Sequence, residues 1–599
     1  MSTYGHFSKK HRKKETQPKT TSESDWFSPA VKQLREAGYR RTRLQDLRLT
    51  IKGVDYTAHE LVSSEPFLFA AFSGLTLTER SLLQEDGEGS SAPVFDDYSK
   101  WKEWRLGKLR VALREGIYLP KPSRQKPIPK LKFPEEIGVE HLEQLWSKEV
   151  SAIEEGPRTL TIDDVEHRGV AGSLQLLLSI YLSSRWRNCV VGFRAGIGVP
   201  EILATLDHAI VKTGLTGVLA ADIKGFYDQI PFKRCLELLD NQVGYKSSPL
   251  LKRIVDCTLS TRREGPLGVP QGNPLSPLLA NLFGTETVDK AGVLWGPYMR
   301  YVDDITLLVK TADEAVDAYS ALSSSFKGAP LKLHPDKTWF HDLRTGQGFK
   351  LGNPTVRMPA PFVYLGVEIR LAESGGLAFH LTNKAIRRLF EAQRDTWYSH
   401  RGRDEKKREW FLECFKRSRY RLAGWLEAYG FCEWTAEQEA AVGLIARLSY
   451  MNDASLRAFL PEVLRECHDT QEDRDGVIQA VADLCGMKRK KGAAYTLEDL
   501  TVWGDSGLKR VRDRSRARLD KARTHPADLA YKRGGGGPRW FHTKKGGRLK
   551  EKGMVATDPH DLVPAPLADL LVQRGSFVPG GAEDRFRNAT EQVSYGYDR

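Results

Sequence analysis

The stretch MRYVDDITLLVK, residues 299–310, contains two apolar runs that meet at Asp303 and Asp304. β-Branched and aromatic residues dominate both runs, which predicts two strands joined by a tight hairpin with the aspartates at its tip. Aspartates are unusual there, because a two-residue turn usually contains Gly to supply a positive φ. Two carboxylates about 4 Å apart repel by roughly 1 kcal/mol in water and roughly 4 kcal/mol at a protein-like dielectric. The hairpin therefore predicts a bound cation.

A third acid in the chain is placed to complete such a site. In GVLAADIKGFYDQIP, residues 217–231, an apolar strand ends at Asp222 and the chain then breaks at Gly225. Mg²⁺ prefers carboxylate oxygens, and two-metal phosphoryl transfer needs several such ligands around one point. A lone Asp after a strand is usually an ordinary turn residue, so the prediction depends on Asp222, Asp303 and Asp304 together. We expect two Mg²⁺ ions, with Mn²⁺ as a substitute.

Positive charge is concentrated at the two ends of the 599-residue chain. Lys and Arg number 91 against 77 Asp and Glu, a net charge of +14. Residues 488–553 alone hold 20 Lys and Arg against 7 Asp and Glu, a net charge of +13. Localised positive charge favours a polyanionic partner, most simply nucleic acid. The alternative is a pair of solvated tails that aid solubility.

Cysteine usage and hydropathy bound the compartment. Seven cysteines are scattered without a C-x-x-C spacing, so neither a disulfide framework nor a zinc site is predicted. Such usage fits a reducing compartment. No apolar run is long enough to span a bilayer, and the N-terminal residues contain no apolar signal core. We therefore expect a cytoplasmic protein with no membrane partner.

Hydrophobic periodicity indicates an α+β fold. Helical patterns dominate residues 26–118 and 383–530, whereas residues 157–385 mix short strands with helices. The stretch LPKPSRQKPIPK, residues 119–130, predicts an extended basic connector because its prolines exclude a helix.

Residues 157–385 contain seven motif blocks in a characteristic order. The hairpin YVDD (301–304) is one of them. The other six are PRTLTIDDVEHRGV (157–170), NCVVGFRAGIG (188–198), DIKGFYDQI (222–230), GVPQGNPLSPLLANL (268–282), LKLHPDKTWF (331–340) and FVYLGVEI (362–369). In this order the blocks resemble the palm and fingers of a reverse transcriptase of the bacterial lineage that includes group II intron, retron and abortive-infection enzymes. The resemblance implies a right-hand polymerase with fingers, a palm built on an antiparallel sheet, a helical thumb and helical extensions at both ends.

The resemblance also implies a division of the chain and a set of roles. The expected segments are a disordered basic arm (1–24), a helical N-terminal region (25–130), fingers and palm (131–385), a helical thumb and C-terminal extension (386–530), and a basic flexible segment (531–599). The expected metal ligands are Asp222, Asp303, Asp304 and the Ile223 carbonyl. The expected substrate-binding residues are Tyr227 as a steric gate against ribonucleotides, Phe226 beside it, Gln271 on the incoming nucleotide, and Arg158 and Arg168 on its triphosphate. Lys337 is expected near the leaving pyrophosphate as its general acid.

The function predicted from this resemblance is RNA-directed DNA polymerisation in anti-phage defence with a dedicated non-coding RNA. The C-terminal helices exceed what a thumb needs and resemble those of defence-associated relatives. A retron or group II intron-derived enzyme is one alternative, although no Cys/His nuclease cluster follows the thumb. An RNA-dependent RNA polymerase is a second, which Tyr227 and PQGNPLSP argue against, and a non-catalytic maturase-like RNA-binding scaffold is a third.

The expected partners are an RNA template or non-coding RNA, the DNA product and deoxynucleoside triphosphates; a partner protein or a second copy of the chain stays open. Gly534–Gly537 would let the backbone approach phosphates, and Trp540 and Phe541 would stack on bases. Arginines alternate from Arg510 to Arg518 and would spread around a helix, which predicts that a folded RNA wraps it.

Overall fold

The computed structural model describes residues 24–73, 98–120, 124–132, 153–183, 185–187, 189–194, 197–259, 268–326, 329–352, 357–398, 418, 421–450, 497–524, 530–531 and 539–540. The basic arm predicted for residues 1–24 and the basic segment predicted for 531–599 lie almost wholly outside these ranges. Within the described residues, no helix is both long enough and apolar enough to cross a membrane.

The helices, numbered in chain order, are α1 (Ser24–Tyr39), α2 (Ala58–Val62), α3 (Glu65–Ser73), α4 (Tyr98–Arg114), α5 (Val165–Leu182), α6 (Val199–Thr213), α7 (Phe226–Gln229), α8 (Phe232–Val243), α9 (Pro249–Leu259), α10 (Ser276–Thr287), α11 (Asp289–Gly292), α12 (Ala312–Ser325), α13 (Asn383–Tyr398), α14 (Ala436–Tyr450) and α15 (Leu497–Thr524). Residues 421–429 are helical as well.

The strands are β1 (Leu49–Ile51), β2 (Val54–Tyr56), β3 (Arg124–Lys132), β4 (Ile153–Ile162), β5 (Gly217–Asp222), β6 (Tyr298–Tyr301), β7 (Asp304–Val309), β8 (Trp339–Asp342), β9 (Gln347–Lys350), β10 (Met358–Pro359), β11 (Phe362–Tyr364), β12 (Val367–Leu371), β13 (Leu377–Leu381), β14 (Ala530–Tyr531) and β15 (Arg539–Trp540). Helices combined with antiparallel sheets confirm the α+β prediction. The finer division into fingers, palm and thumb stays a prediction.

A six-stranded antiparallel sheet positions the candidate site. Its strand order is β10-β9-β8-β5-β7-β6, so β5 lies between two neighbours. Successive side chains of a strand point to opposite faces. Leu219 and Ala221 accordingly pack in one apolar core and Val218 in another. Burial on both faces explains why β5 reads as a continuous apolar run.

Helices cover both faces of this sheet. One core contains buried residues of α1, α3, α5, α8, α9 and α10. The other contains α6, the three-stranded sheet β11-β12-β13, and helices α13, α14 and α15. The C-terminal helices therefore share a core with one face of the sheet that carries Asp222 and the hairpin.

Two segments differ from the sequence prediction. The helical pattern of residues 30–49 is interrupted, because α1 ends at Tyr39 just after Gly38 and the β1–β2 hairpin begins at Leu49. The proline-rich connector is extended as predicted, but its residues 124–130 belong to β3, which pairs with β4 and crosses the predicted boundary at residue 130. Proline is compatible with this two-stranded sheet because both strands are edges, and the register shifts between Pro129 and Lys130.

Candidate active site

The tip of the acidic hairpin lies one residue earlier than the sequence predicts. Tyr301 pairs with Asp304 across β6 and β7, so the two turn residues are Val302 and Asp303. Asp304 is the first residue of β7. The prediction that both aspartates form the turn is therefore wrong for Asp304.

Val302 explains the difference. The φ of Val302 is 62°, whereas the φ of Asp303 is not positive. These two signs match a type II′ turn. A β-branched residue rarely adopts this region, and such strain costs on the order of 1–3 kcal/mol. Local residue preferences therefore do not predict Val302 at this turn position. Its conformation requires support from the surrounding fold.

Asp222 ends β5 directly beside the hairpin. It pairs in register with Asp304 on β7, and the next residue, Ile223, donates its backbone N–H to the Asp303 carbonyl at 3.1 Å. Asp222 is 8% exposed, and the two hairpin acids are half-buried. The structure thus brings the three predicted acids to the ends of adjacent strands.

Lys337 lies against Asp222. Its Nζ is 3.4 Å from both carboxylate oxygens, and its side chain is 49% exposed. The segment before it is fixed along the end of β5, because the His334 N–H donates to the Asp222 carbonyl at 2.7 Å. The sequence placed Lys337 near the leaving pyrophosphate. That role stays a prediction, and the ion pair with Asp222 adds a contact that the sequence did not reveal.

The donors at this site fit a hard cation. The Asp222 carboxylate already faces a positive charge, since the Lys337 ammonium lies at equal distance from its two oxygens. Asp303 and Asp304 add two carboxylates from the next strand pair, and oxygen ligands suit Mg²⁺. Within the described ranges, however, no three acidic, His or Cys side chains are already gathered as a metal cluster. Ion binding by these three acids stays a prediction.

The predicted gate residue lies in the core beside these acids. Gly225, with φ of 59°, begins the short helix α7, which carries Phe226 and Tyr227. Their rings meet edge-on with centroids 6.1 Å apart, and Tyr227 is 6% exposed. Val269 donates its N–H to the Tyr227 carbonyl at 2.9 Å, which fixes the following loop to α7. The substrate roles of both rings stay predictions.

Gln271 belongs to that loop, and hydrogen bonds hold both Gln271 and the nearby Asn273. Its Nε2 donates to Asp228 Oδ1 at 3.1 Å. Two residues later the buried Asn273 donates through Nδ2 to Asp163 Oδ2 at 3.0 Å and to the Thr258 carbonyl at 2.9 Å. The sequence analysis predicted a role for neither Asn273 nor Asp163. The signal that could have identified Asn273 is an amide side chain within a Gly-Asn-Pro turn.

The two predicted fingers cations are placed less fully. Arg158 lies in β4 opposite Ile128 of β3, and only its backbone is described. Arg168 lies on α5, whose first turn is capped by the Asp164 carboxylate. Burial lowers the pKa of the Arg168 guanidinium. Contact of either residue with a triphosphate stays a prediction.

The arginines of α15 do not surround a free helix. Arg518 forms a two-pronged ion pair with the buried Glu201 of α6, with Nε–Oε1 3.0 Å and Nη2–Oε2 2.8 Å. Arg523 Nε lies 2.8 Å from Asp207, and Arg512 lies over the Trp434 ring at 3.7 Å. Among the side chains of residues 509–523, those of Val511, Ser515, Leu519 and Ala522 are buried. One face of α15 docks on α6 and α14, so the prediction of RNA wrapped around much of the helix circumference is wrong for that face.

Exposed arginines remain on the other side of α15. The side chain of Arg514 is 55% exposed, and Arg510 and Arg516 are exposed as well. RNA binding by these exposed arginines stays a prediction.

Residues 155–369 match the family described as reverse transcriptase (RNA-dependent DNA polymerase). These residues form a reverse transcriptase domain. Such a domain is an RNA-directed DNA polymerase, a nucleotidyltransferase. No curated protein matches the chain.

Among solved structures, this chain is similar to one from a "Partial Cas6-RT-Cas1--Cas2 complex". The identity is 19%, the TM-score is 0.22, and the alignment covers 44% of this chain and 41% of that one. The chain thus spans less than half the length of that protein. A likeness this weak carries no argument about arrangement or partners.

Proposed function

We propose that the whole protein is an RNA-directed DNA polymerase that adds deoxynucleotides by two-metal phosphoryl transfer. The observation that supports this most is the register of Asp222 with Asp304 across β5 and β7, with Asp303 in the adjoining turn. The Lys337 ammonium beside Asp222 adds to it, because it marks the place where a positive charge is favoured.

In this proposal Asp222, Asp303, Asp304 and the Ile223 carbonyl hold the two ions. When bound, the ions favour the ionised primer 3′-hydroxyl and neutralise charge on the triphosphate. The primer oxygen forms a bond to the α-phosphorus while the bond to the bridging oxygen breaks, and pyrophosphate leaves.

Lys337 supplies the proton to the leaving group. Its side chain is half exposed and long enough to leave Asp222 once the site is loaded. The ammonium then donates a proton to a pyrophosphate oxygen as general acid. The same residue thus balances the Asp222 charge in the free enzyme and the pyrophosphate charge during turnover.

Substrate choice rests on the elements around α7. Tyr227, whose ring packs edge-on against Phe226, excludes a ribose 2′-hydroxyl in this proposal. Gln271, fixed to Asp228, is placed on the loop that meets the incoming nucleotide. Arg158 and Arg168 bind its triphosphate.

The biological role we propose is anti-phage defence with a dedicated non-coding RNA. The C-terminal helices extend well beyond α13, and α15 presents exposed arginines opposite its docked face. A basic surface of this kind suits a folded RNA held for many rounds of synthesis.

The experiment combines extension and sequencing. Purified protein is given a DNA primer on an RNA template with Mg²⁺ and either deoxynucleotides or ribonucleotides, with an unprimed reaction on its co-purified nucleic acid in parallel. We expect DNA synthesis that requires deoxynucleotides, and one RNA species strongly enriched over cellular abundance. Primer extension that occurs with ribonucleotides but not with deoxynucleotides contradicts the polymerase proposal. Recovery of cellular RNAs in proportion to their abundance contradicts the dedicated-RNA proposal.

A further inference from the structure

A buried polar cluster lies under the acidic hairpin and is unexplained by the roles above. It consists of Arg300, Asp289, Tyr298 and Asn281, all of them essentially inaccessible to solvent. Burying an arginine and an aspartate is costly unless each is paired and hydrogen-bonded. In this cluster each buried charge is both paired and hydrogen-bonded.

Arg300 and Asp289 form a two-pronged ion pair. Nε lies 2.7 Å from Asp289 Oδ1 and Nη2 lies 3.0 Å from Oδ2. Tyr298 donates its hydroxyl to the same Oδ1 at 2.8 Å. The remaining guanidinium nitrogen, Nη1, donates to the Val302 carbonyl at 2.9 Å and lies 3.3 Å from Asn281 Oδ1.

The contact with Val302 links the cluster to the strained turn. Val302 is the turn residue with φ of 62°, and Asp303 follows it directly. Because Arg300 lies on β6 two residues before, its guanidinium reaches the turn from beneath and fixes the orientation of the Val302–Asp303 peptide. Asn281 extends the support, since its Nδ2 donates to the Gly192 carbonyl at 2.9 Å, and a Cβ at Gly192 would lie 3.0 Å from the Val302 nitrogen.

The chain keeps room for this arrangement. A Cβ at Gly284 of α10 would lie 2.5–2.7 Å from the three outer guanidinium atoms of Arg300. A Cβ at Gly292 would lie 2.2–2.7 Å from the Tyr298 ring. Two glycines on neighbouring helices thus leave space for the side chains of Arg300 and Tyr298, which both donate hydrogen bonds to Asp289.

We propose that Arg300, held by Asp289, is a positioning residue that keeps Val302 in its left-handed conformation and thereby fixes the Asp303 carboxylate for metal binding. The proposal rests on Asp303 being a metal ligand, as proposed above. Arg300 touches neither substrate nor ion; it acts through the turn. A lysine at this position retains the charge but cannot bind both Asp289 oxygens and the Val302 carbonyl together.

The first test is independent of activity. Hydrogen exchange is measured by mass spectrometry on wild type, Arg300→Lys and Gly284→Ala. The Gly284→Ala variant retains Arg300, but its new methyl group collides with the guanidinium and displaces it. We expect faster exchange in peptides covering β6, the turn and β7, with the β8–β9 hairpin unchanged. Arg518→Lys is the matched control, since it weakens a two-pronged pair between α15 and α6. Unchanged exchange at the turn in both variants, or equal loosening of β8–β9, overturns the proposal.

The second test reports on the ion. Mn²⁺ binding is measured by electron paramagnetic resonance without nucleotide, with Asp303→Ala as the variant lacking the ligand. Arg300→Lys should weaken Mn²⁺ binding and lower the extension rate by about 100-fold, the scale of a 1 Å misplacement, while the deoxynucleotide KM stays nearly constant. Adding Val302→Gly, which needs no support at positive φ, should restore part of both. Normal Mn²⁺ binding in Arg300→Lys overturns the inference; normal binding in Asp303→Ala overturns the proposed metal site instead.

Discussion

Replacing Lys337 by Met should raise the affinity of the site for a divalent ion and slow the reaction at the same time. The ammonium lies 3.4 Å from both Asp222 oxygens, and in the proposed mechanism the ion displaces it. Coulomb attraction at this distance is about 1 kcal/mol in water and about 4 kcal/mol near a protein surface. Because the Lys337 side chain is 49% exposed, the lower figure applies. Its removal should therefore tighten ion binding about fivefold.

The rate should change in the opposite direction. General acid catalysis contributes about 10²- to 10⁴-fold, so the single-turnover rate at saturating metal should fall by that order in Lys337→Met. Lys337→Arg separates the two effects, because it keeps the charge against Asp222 but does not give up its proton. We expect nearly wild-type ion affinity and a slow reaction from it.

The assay pairs Mn²⁺ titration of the free protein with single-turnover primer extension. Lys350→Met is a matched control, since Lys350 pairs with Asp336 at 3.1 Å on the same part of the fold without touching Asp222. Weaker Mn²⁺ binding in Lys337→Met, or an unchanged extension rate at saturating metal, refutes the reasoning.

Three further predictions concern the gate, acid stability and RNA retention. Tyr227→Val should lower the ratio of deoxynucleotide to ribonucleotide efficiency, while Tyr227→Phe, which keeps the ring, should not; equal ratios in all three proteins would identify Tyr227 as core packing. Burial lowers the pKa of His341 below 6.5, so its contribution to stability is complete above pH 6.5 and is lost as pH falls through the folded-state pKa. Urea unfolding at about pH 7.5 and about pH 5.5 should then show a larger loss in wild type than in His341→Asn. Deleting residues 532–553 should reduce recovery of the enriched RNA and flatten a salt dependence of roughly 10³-fold between 50 and 200 mM, because eight Lys and Arg are lost while those of α15 remain; recovery of the same RNA in the same amount and with the same slope would place binding elsewhere.

The acidic hairpin shows how far the sequence predicts the site. Apolar runs on both sides of Asp303 correctly predict two strands, and the strand ending at Asp222 is correctly placed beside them. The turn itself is shifted because local preferences disfavour Val302 at positive φ. Pairing of Asp304 with Asp222 and the Arg300 contact override that preference. Neither is visible in the spacing of the hairpin residues.

Long-range ion pairs are the second limit. Alternating arginines predict charge around α15, and the helix does carry it, but Arg518 and Arg523 meet Glu201 and Asp207, which lie about three hundred residues earlier. A buried stripe including Val511, Ser515 and Leu519 is readable at i, i+4 spacing. What it docks on is decided by the tertiary fold alone.

The central claim is that Asp222, Asp303 and Asp304 form the polymerase metal site, and the Asp303→Ala/Asp304→Ala double variant tests it most directly. Removing two like charges from one hairpin relieves repulsion, so the variant should melt close to wild type. Asp313→Ala/Asp317→Ala on the exposed face of α12 makes the same charge change away from the site. On an RNA template with Mg²⁺ and deoxynucleotides, we predict background incorporation from the hairpin variant and wild-type incorporation from the control. A folded hairpin variant that still polymerises contradicts the account.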